Sequence, residues 1–155
     1  MKQKIIIVLT ALTVLLHPQY GHAMEEQEVE EISARVGEEF GICPELLQAL
    51  AWKESRYQEE AEAGGCSGLM QVAGRWHQER MGRLGVTDLY DPEGNMKVAA
   101  DYLAELFARY EDPGMVLMVY NGDSQAAEYQ KTGELSEYAE AVLEKSYQME
   151  LEHGK

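Results

Sequence analysis

The chain has 155 residues, of which 45% are hydrophobic, and its 13 lysines and arginines stand against 28 acids, a net charge of −15. Such an acidic chain has no basic face to neutralise phosphate groups, which argues against nucleic acid as a partner and against docking on anionic lipid. The length and the hydrophobic fraction are those of one folded domain rather than of a disordered acidic tail.

The chain begins with a pattern typical of a secretory signal peptide over residues 1–23. Lys2 and Lys4 precede an apolar run at residues 5–16, and residues 21–23 supply small side chains at the usual cleavage offsets. The run is short for a membrane-spanning helix, and an uncleaved membrane anchor is the alternative. Cleavage removes two lysines and no acid, which leaves 11 basic side chains against 28 acids, a net charge of −17. We therefore expect an exported protein.

Every periodic segment that follows is predicted to be helical. Apolar residues recur at spacings of three and four over residues 29–40, and Gly41 ends this pattern. We assign residues 24–40 to an N-terminal helix. Pro44 suits a first helical position, and residues 45–57 are predicted to form the next helix.

The rest of the chain repeats this pattern of apolar stripes and breaks. A glycine-rich loop at residues 64–68 comes first, and turns are predicted at residues 91–94 and 112–114. Helical stripes cover residues 76–84, 96–110, 115–120 and 135–149. No convincing strand alternation appears. The predicted fold class is therefore all-α, a compact helical domain without internal repeats.

One glutamate lies on an apolar helix face. The residues at i, i+3, i+4 and i+7 of the second helix share one face, and they are Leu47, Leu50, Ala51 and Glu54. Burial raises the pKa of a carboxyl group, and a glutamic acid that stays protonated near neutral pH is a general acid for glycoside cleavage. The alternative is a glutamate at the edge of the stripe that pairs with a nearby lysine or arginine.

Short motifs follow this glutamate in a fixed order. They are Glu54-Ser55, Gly68-Leu69-Met70-Gln71, Asp91-Pro92 with Asn95, Tyr102-Leu103, Tyr120-Asn121 and Tyr138. In this order, over residues 41–145, the chain resembles the catalytic domain of the soluble lytic transglycosylases, which is related to goose-type lysozyme. The resemblance implies a lysozyme-like helical fold, and we assign residues 41–150 to a lytic transglycosylase-like catalytic domain.

The resemblance also implies a role for each matching residue. Glu54 matches the single catalytic acid and base of the family. The matching substrate-binding positions are Ser55, Met70, Gln71, Tyr120, Asn121 and Tyr138. In the family the serine helps to place the carboxyl group or the sugar, the Met-Gln segment lines the cleft, the asparagine contacts substrate and both tyrosines lie near the acid. Gly122 follows Asn121 directly, where the family has one residue between them.

The implied activity is the lytic cleavage of peptidoglycan strands between N-acetylmuramic acid and N-acetylglucosamine, with a 1,6-anhydromuramyl product and no cofactor. Most glycosidases need two carboxylates, and no second one is distinguished by its setting in this chain. No metal site is expected, because His-x-x-x-His and Cys-x-x-Cys pairs are missing. We expect a monomer. The alternatives are lysozyme-like hydrolysis on the same fold, and a non-catalytic glycan-binding module of a secretion or conjugation apparatus.

The two cysteines allow two further interpretations. In an exported chain an even count makes a disulfide between Cys43 and Cys66 a candidate, with two free buried thiols as the alternative. Residues 64–68 also fit the G-x-C-x-G pattern of a nucleophile elbow, in which His77 would serve as the base for Cys66. Such an elbow needs a strand before it, and residues 59–63 make a poor strand. We therefore prefer to place His77 on a helix surface.

Overall fold

The structure, a computed structural model, describes residues 23–155, and the predicted signal peptide lies outside them except for Ala23. The α-helices of this part are α1 (Glu26–Phe40), α2 (Pro44–Ser55), α3 (Gln78–Leu84), α4 (Pro92–Tyr110), α5 (Pro113–Tyr120), α6 (Ala126–Thr132) and α7 (Glu137–Glu152). The all-α prediction is confirmed. None of these helices has the length and apolar character that crossing a membrane requires.

Proline and acidic caps set the starts of the helices. A proline begins each of α2, α4 and α5, where its missing N–H costs no hydrogen bond. The carboxylate of Asp91 accepts a hydrogen bond from the N–H of Gly94 at 2.7 Å, and Asp112 accepts one from Met115 at 2.8 Å. The Asp-Pro pairs predicted as turns are thus the capped first turns of α4 and α5.

Helix α2 lies at the centre of the core. It packs against α1 and α7, while α4 packs against α1 and α5. The side chains of Leu47, Leu50 and Ala51 are completely buried, and burial of each leucine contributes about 1.5–3 kcal/mol. The face predicted to carry Glu54 is therefore a core face, and Glu54 lies in the last turn of this helix.

Helix α2 ends two residues before the predicted end because the backbone turns left-handed there. Arg56 has φ 55° and Tyr57 has φ 63°. The carbonyl oxygen of Tyr57 then accepts a hydrogen bond from the N–H of Met24 at 2.9 Å. Non-glycine residues in this region cost roughly 1–3 kcal/mol each and cluster at functional sites. The turn fixes Glu54 at the very end of a buried helix.

Three short elements differ from the prediction. The glycine-rich loop is a hairpin of β1 (Glu62–Ala63) and β2 (Cys66–Ser67), whose turn has two glycines with positive φ. Strands of two residues are too short to show alternation in the sequence. A 3-10 turn, Gly74–Trp76, precedes α3. Helix α6 was not predicted, because its seven residues bury no side chain and so show no apolar stripe.

The predicted disulfide between Cys43 and Cys66 is wrong, since both thiols are free in the structure. Cys43 immediately precedes α2. Cys66 lies near the other end of this helix, since it and Glu54, in the last turn of α2, line one cavity. A helix of this length separates its two ends by about 18 Å. Disulfides need Cα atoms within about 7 Å of each other.

A buried carboxylate at the start of α2 holds the C-terminal segment. Glu45 is 1% exposed, and its Oε1 accepts hydrogen bonds from His153 Nδ1 at 2.8 Å and from Lys155 Nζ at 2.6 Å. The thiol of Cys43 donates to its other oxygen at 3.0 Å. Burial by itself raises the pKa of Glu45, but these hydrogen bonds outweigh burial and lower the pKa to about 2.

Glu45→Gln should lower the free energy of unfolding at pH 7 by about 2–3 kcal/mol, because the amide carries no negative charge to strengthen the hydrogen bonds from His153 and Lys155. The carboxylate stabilises the fold at neutral pH. That stabilisation is lost as the pH falls from 4.5 to about 2, so the two proteins should converge in acid. Denaturant titrations over this range measure the difference, with Glu152→Gln on the exposed surface as the control. Equal stability at pH 7 would contradict the assignment.

Candidate active site

Glu54 lies in the wall of a cleft of about 360 Å³. The end of α2, the β1–β2 hairpin, the segment after Gly68, and helices α4 and α5 all contribute lining residues. Among the described residues that line the cleft, Glu54 is the one acidic side chain. A single carboxyl group therefore faces whatever the cleft binds.

The environment of Glu54 favours its protonated form. Burial raises the pKa of the carboxyl group above its ordinary value, while a hydrogen bond from Tyr138 and the charge of Lys53 act in the opposite direction. Burial has the largest effect, so the net shift is upward. A carboxyl group with a raised pKa can give a proton to a leaving group and take one back near neutral pH.

Tyr138 is the direct partner of this carboxyl group. It lies in the first turn of α7, which Ser136 caps, and its hydroxyl donates a hydrogen bond to Oε1 of Glu54. Burial and the nearby Glu54 carboxylate raise the pKa of Tyr138, so the phenol remains a neutral donor. The packing of α7 on α2 thus orients the carboxyl group from the side of α7.

Tyr138→Phe should lower kcat about tenfold and move the alkaline limb of the pH–rate profile to higher pH. The hydrogen bond from Tyr138 lowers the pKa of Glu54, so its loss lets that pKa rise further and Glu54 remain protonated at higher pH. The tenfold fall in kcat corresponds to the loss of one hydrogen bond that stabilises the ionised Glu54 carboxylate during the reaction. Tyr147→Phe, an exposed tyrosine on the same helix, is the matched control. An unmoved alkaline limb would contradict the role.

Met70 does not line the cleft, although the resemblance implied that it does. Its side chain is completely buried in the core. Its carbonyl oxygen accepts a hydrogen bond from the Tyr120 hydroxyl at 3.0 Å, and Tyr120 itself lines the cleft. Burial raises the pKa of Tyr120 well above its ordinary value, and the charge of Glu54 adds to this, so the hydroxyl stays a neutral donor. Met70 therefore supports the site through its backbone.

Asn95 fixes the backbone of the segment around Met70 through hydrogen bonds, a role that the sequence did not reveal. It is fully buried, and its Oδ1 accepts a hydrogen bond from the N–H of Met70 at 2.7 Å. Its Nδ2 donates to the carbonyl oxygens of Ser67 at 2.9 Å and Leu89 at 2.8 Å. Gly68 has φ +79°, and a Cβ there would lie 2.3 Å from Nδ2 of Asn95. The available signals were its place among the ordered motifs and an amide side chain in the first turn of an apolar helix.

Of the other residues predicted to bind substrate, two line the cleft and one is hydrogen-bonded to the backbone of its own helix. Gln71 and Asn121 line the cleft, and Nε2 of Gln71 also donates to the carbonyl oxygens of Ala61 and Gly68. Ser55 is buried and its hydroxyl donates to the carbonyl oxygen of Ala51 at 3.1 Å, so it is engaged within α2. The structure thus brings together Glu54, Gln71, Tyr120, Asn121 and Tyr138.

Three aromatic rings line one wall of the cleft, from α4, from α5 and from the residue before α3. The ring of His77 lies 4.9 Å from that of Tyr102, which lies 5.9 Å from that of Tyr120, and all three line the cleft. His77 is therefore not the surface residue that was predicted. Burial and the charge of Arg80 lower its pKa, which favours the neutral ring. Sugar rings pack well on such surfaces because aromatic faces combine apolar area with polar edges.

The described residues do not form the nucleophile elbow in which His77 would serve as the base for Cys66. Cys66 and His77 both line the cleft, but no hydrogen bond joins them within residues 23–155. Cys66 lies in a two-residue strand, and no helix begins directly after it. A nucleophile elbow requires a strand, a sharp turn and a helix in succession.

A lysozyme-like helical domain with one half-buried acid in its cleft is the class that this fold and site define. The family model for the transglycosylase SLT domain matches residues 31–140. The chain belongs to the transglycosylase SLT domain family.

Individual proteins show the same similarity. Proteins called X polypeptide from Escherichia coli and from its strain K12 are each 34% identical over an alignment 114 residues long, which covers 68% of this chain and 66% of theirs. The chain thus spans slightly less than two thirds of their length. Its fold is similar to that of lytic transglycosylase Slt from Pseudomonas aeruginosa, whose X-ray structure is of an inactive mutant. The TM-score is 0.69 at 18% identity, over 80% of this chain and 24% of that one.

Proposed function

We propose that this protein is a peptidoglycan lytic transglycosylase that uses Glu54 as its only acid and base. The single observation that carries the proposal is the half-buried Glu54 carboxyl group, which is bonded to Tyr138 and is the one acid among the described residues of the cleft. Membership of the transglycosylase family and the similarity to Slt support the same reaction class.

The reaction follows from one carboxyl group acting twice. Protonated Glu54 donates its proton to the glycosidic oxygen between N-acetylmuramic acid and N-acetylglucosamine. The acetamido group of the muramyl residue stabilises the positive charge that develops at its anomeric carbon. Ionised Glu54 then takes the proton of the muramyl 6-hydroxyl, whose oxygen closes the 1,6-anhydro ring. Glu54 ends protonated, as it began, and no water is consumed.

Product analysis separates this reaction from hydrolysis on the same fold. Purified peptidoglycan is digested with the protein, and the soluble fragments are weighed by mass spectrometry. We expect muramyl ends that are one water molecule lighter than hydrolysed ends. Ends that carry the added water throughout would replace the lytic assignment with a lysozyme-like one.

We also propose that the protein is exported to the compartment that holds peptidoglycan, with residues 1–23 as its leader. Cleavage after Ala23 would leave Met24 as the first residue. The N–H of Met24 is bonded to Tyr57, in the turn that follows Glu54. The processed chain would therefore keep the hydrogen bond that holds its first residue, Met24, to the turn beside Glu54.

A further inference from the structure

Two cationic side chains lie against Trp52, and a third lies against Tyr138 beside Glu54. The guanidinium carbon of Arg56 lies 3.4 Å from the centre of the Trp52 ring, and Nζ of Lys145 lies 5.6 Å from it. Nζ of Lys53 lies 5.6 Å from the centre of the Tyr138 ring. We refer to Lys53, Arg56 and Lys145 as the Trp52 cation cluster. Because Tyr138 donates to Glu54, the cluster adjoins the acid from the side of α7.

The cations of this cluster have no acidic partner among the described residues. Six of the 11 lysines and arginines in residues 23–155 form salt bridges, as Arg80 does with Asp101 and Glu105, and the cluster contains three of the other five. No member of the cluster forms a salt bridge within residues 23–155. Free cations in so acidic a protein are available to an external anion.

Arg56 is also held ready for a planar anion. Its left-handed backbone, φ 55°, directs it back over α2, where its guanidinium stacks on Trp52. One of its nitrogens donates to the carbonyl oxygen of Trp52 at 3.3 Å, which leaves its other N–H donors free. A fixed guanidinium binds a carboxylate through two parallel hydrogen bonds, and stacking reduces the entropy lost on binding.

We propose that the Trp52 cation cluster binds carboxylate groups of the stem peptide that muramic acid carries, a specificity that rests on the proposed function. In peptide-bearing strands the lactyl carboxyl group of muramic acid is held in the amide bond to the peptide, so the peptide supplies the anions of this substrate. The peptide is attached to the muramyl residue, which is also the residue at the cleaved bond. The acidic surface of the protein repels such anions, and a local cluster of free cations offsets that repulsion beside Glu54.

The test compares two substrates and two double variants. Peptidoglycan with intact stem peptides is compared with the same strands after their free peptide carboxyl groups have been converted to amides. In Arg56→Gln with Lys145→Gln, we expect the apparent KM for the strands with free carboxylates to rise about five- to tenfold, with kcat unchanged. The KM for the amidated strands should not change, and wild type should prefer the strands with free carboxylates.

The matched control is Arg109→Gln with Lys131→Gln, which removes the same charge from exposed positions elsewhere. It should retain the wild-type preference. The single variant Lys145→Gln provides a milder form of the same change and should show a smaller rise in KM. Equal KM values of wild type for both substrates, or an equal rise in the control, would overturn the proposal.

A binding measurement separates failure of this proposal from failure of the proposed function. Free stem tetrapeptide is titrated into the wild-type protein and into the Arg56→Gln, Lys145→Gln variant, without any cleavage step. Binding that is lost in the variant supports the cluster even if the protein cleaves no glycan. Binding that is equal in both proteins overturns the cluster and leaves the role of Glu54 unaffected.

Discussion

Glu54→Gln should abolish release of soluble fragments from peptidoglycan, with a loss of about three orders of magnitude or more in kcat. Glutamine has nearly the same shape, but it can neither donate a proton to the glycosidic oxygen nor take one from the 6-hydroxyl. Both steps of the proposed reaction therefore fail. Tyr138 keeps an acceptor in the amide oxygen, so the surrounding contacts should remain.

The same substitution should leave the fold intact or raise its Tm, because a half-buried ionisable group costs stability that an amide does not. Thermal unfolding followed by circular dichroism measures this beside the activity assay. Glu140→Gln, on the exposed side of α7, makes the same chemical change away from the cleft and should keep full activity. A Glu54→Gln protein that still cleaves peptidoglycan would place the acid elsewhere.

Asn95→Ala should lower the free energy of unfolding by about 3–5 kcal/mol, the largest loss that we expect from a single polar side chain. The substitution removes three hydrogen bonds and leaves the N–H of Met70 and the carbonyl oxygen of Leu89 unpaired, while the carbonyl oxygen of Ser67 keeps a hydrogen bond from the N–H of Val72. A loss of this size lowers the Tm by about 10 °C for a domain of this length. Thermal unfolding is the direct measurement.

The activity of Asn95→Ala below its Tm should also fall, because the segment that carries Gln71 loses its support. Asn121→Ala is the informative control, since Asn121 is exposed in the cleft and its loss should affect substrate binding with little effect on Tm. A Tm close to that of wild type in Asn95→Ala would show that water or a neighbouring group satisfies the three partners.

Much of the fold was predictable because its helices have local signatures. The stripes of α1, α4 and α7 arise from one-sided burial, α2 shows an apolar run because it is buried on several sides, and Asp-Pro pairs mark the starts of α4 and α5. Glu54 was identified by the same means, as a carboxyl group on an apolar face. These features depend on residues within two turns of each other, so they are visible in the sequence.

The remaining features depend on contacts between distant parts of the chain. Tyr138 meets Glu54 across 84 residues, so the family resemblance could place it near the acid but no local pattern could, because the packing of α7 on α2 brings the two together. The inward direction of Met70 is set by the turn at Gly68 and by Asn95 in α4. His77 enters the cleft because a 3-10 turn redirects the chain before α3. No periodic pattern encodes these directions.

The left-handed pair that follows α2 has an evolutionary consequence. Glycine adopts the φ 55° of Arg56 without strain, so selection for heat resistance alone should replace this arginine. Selection for growth on peptide-bearing cell walls should retain it, because its guanidinium is the member of the Trp52 cation cluster that can bind a carboxylate through two parallel hydrogen bonds. A library of variants at position 56 can be put under each of the two selections. The residue that each selection enriches would show whether stability or carboxylate binding determines the residue at this turn.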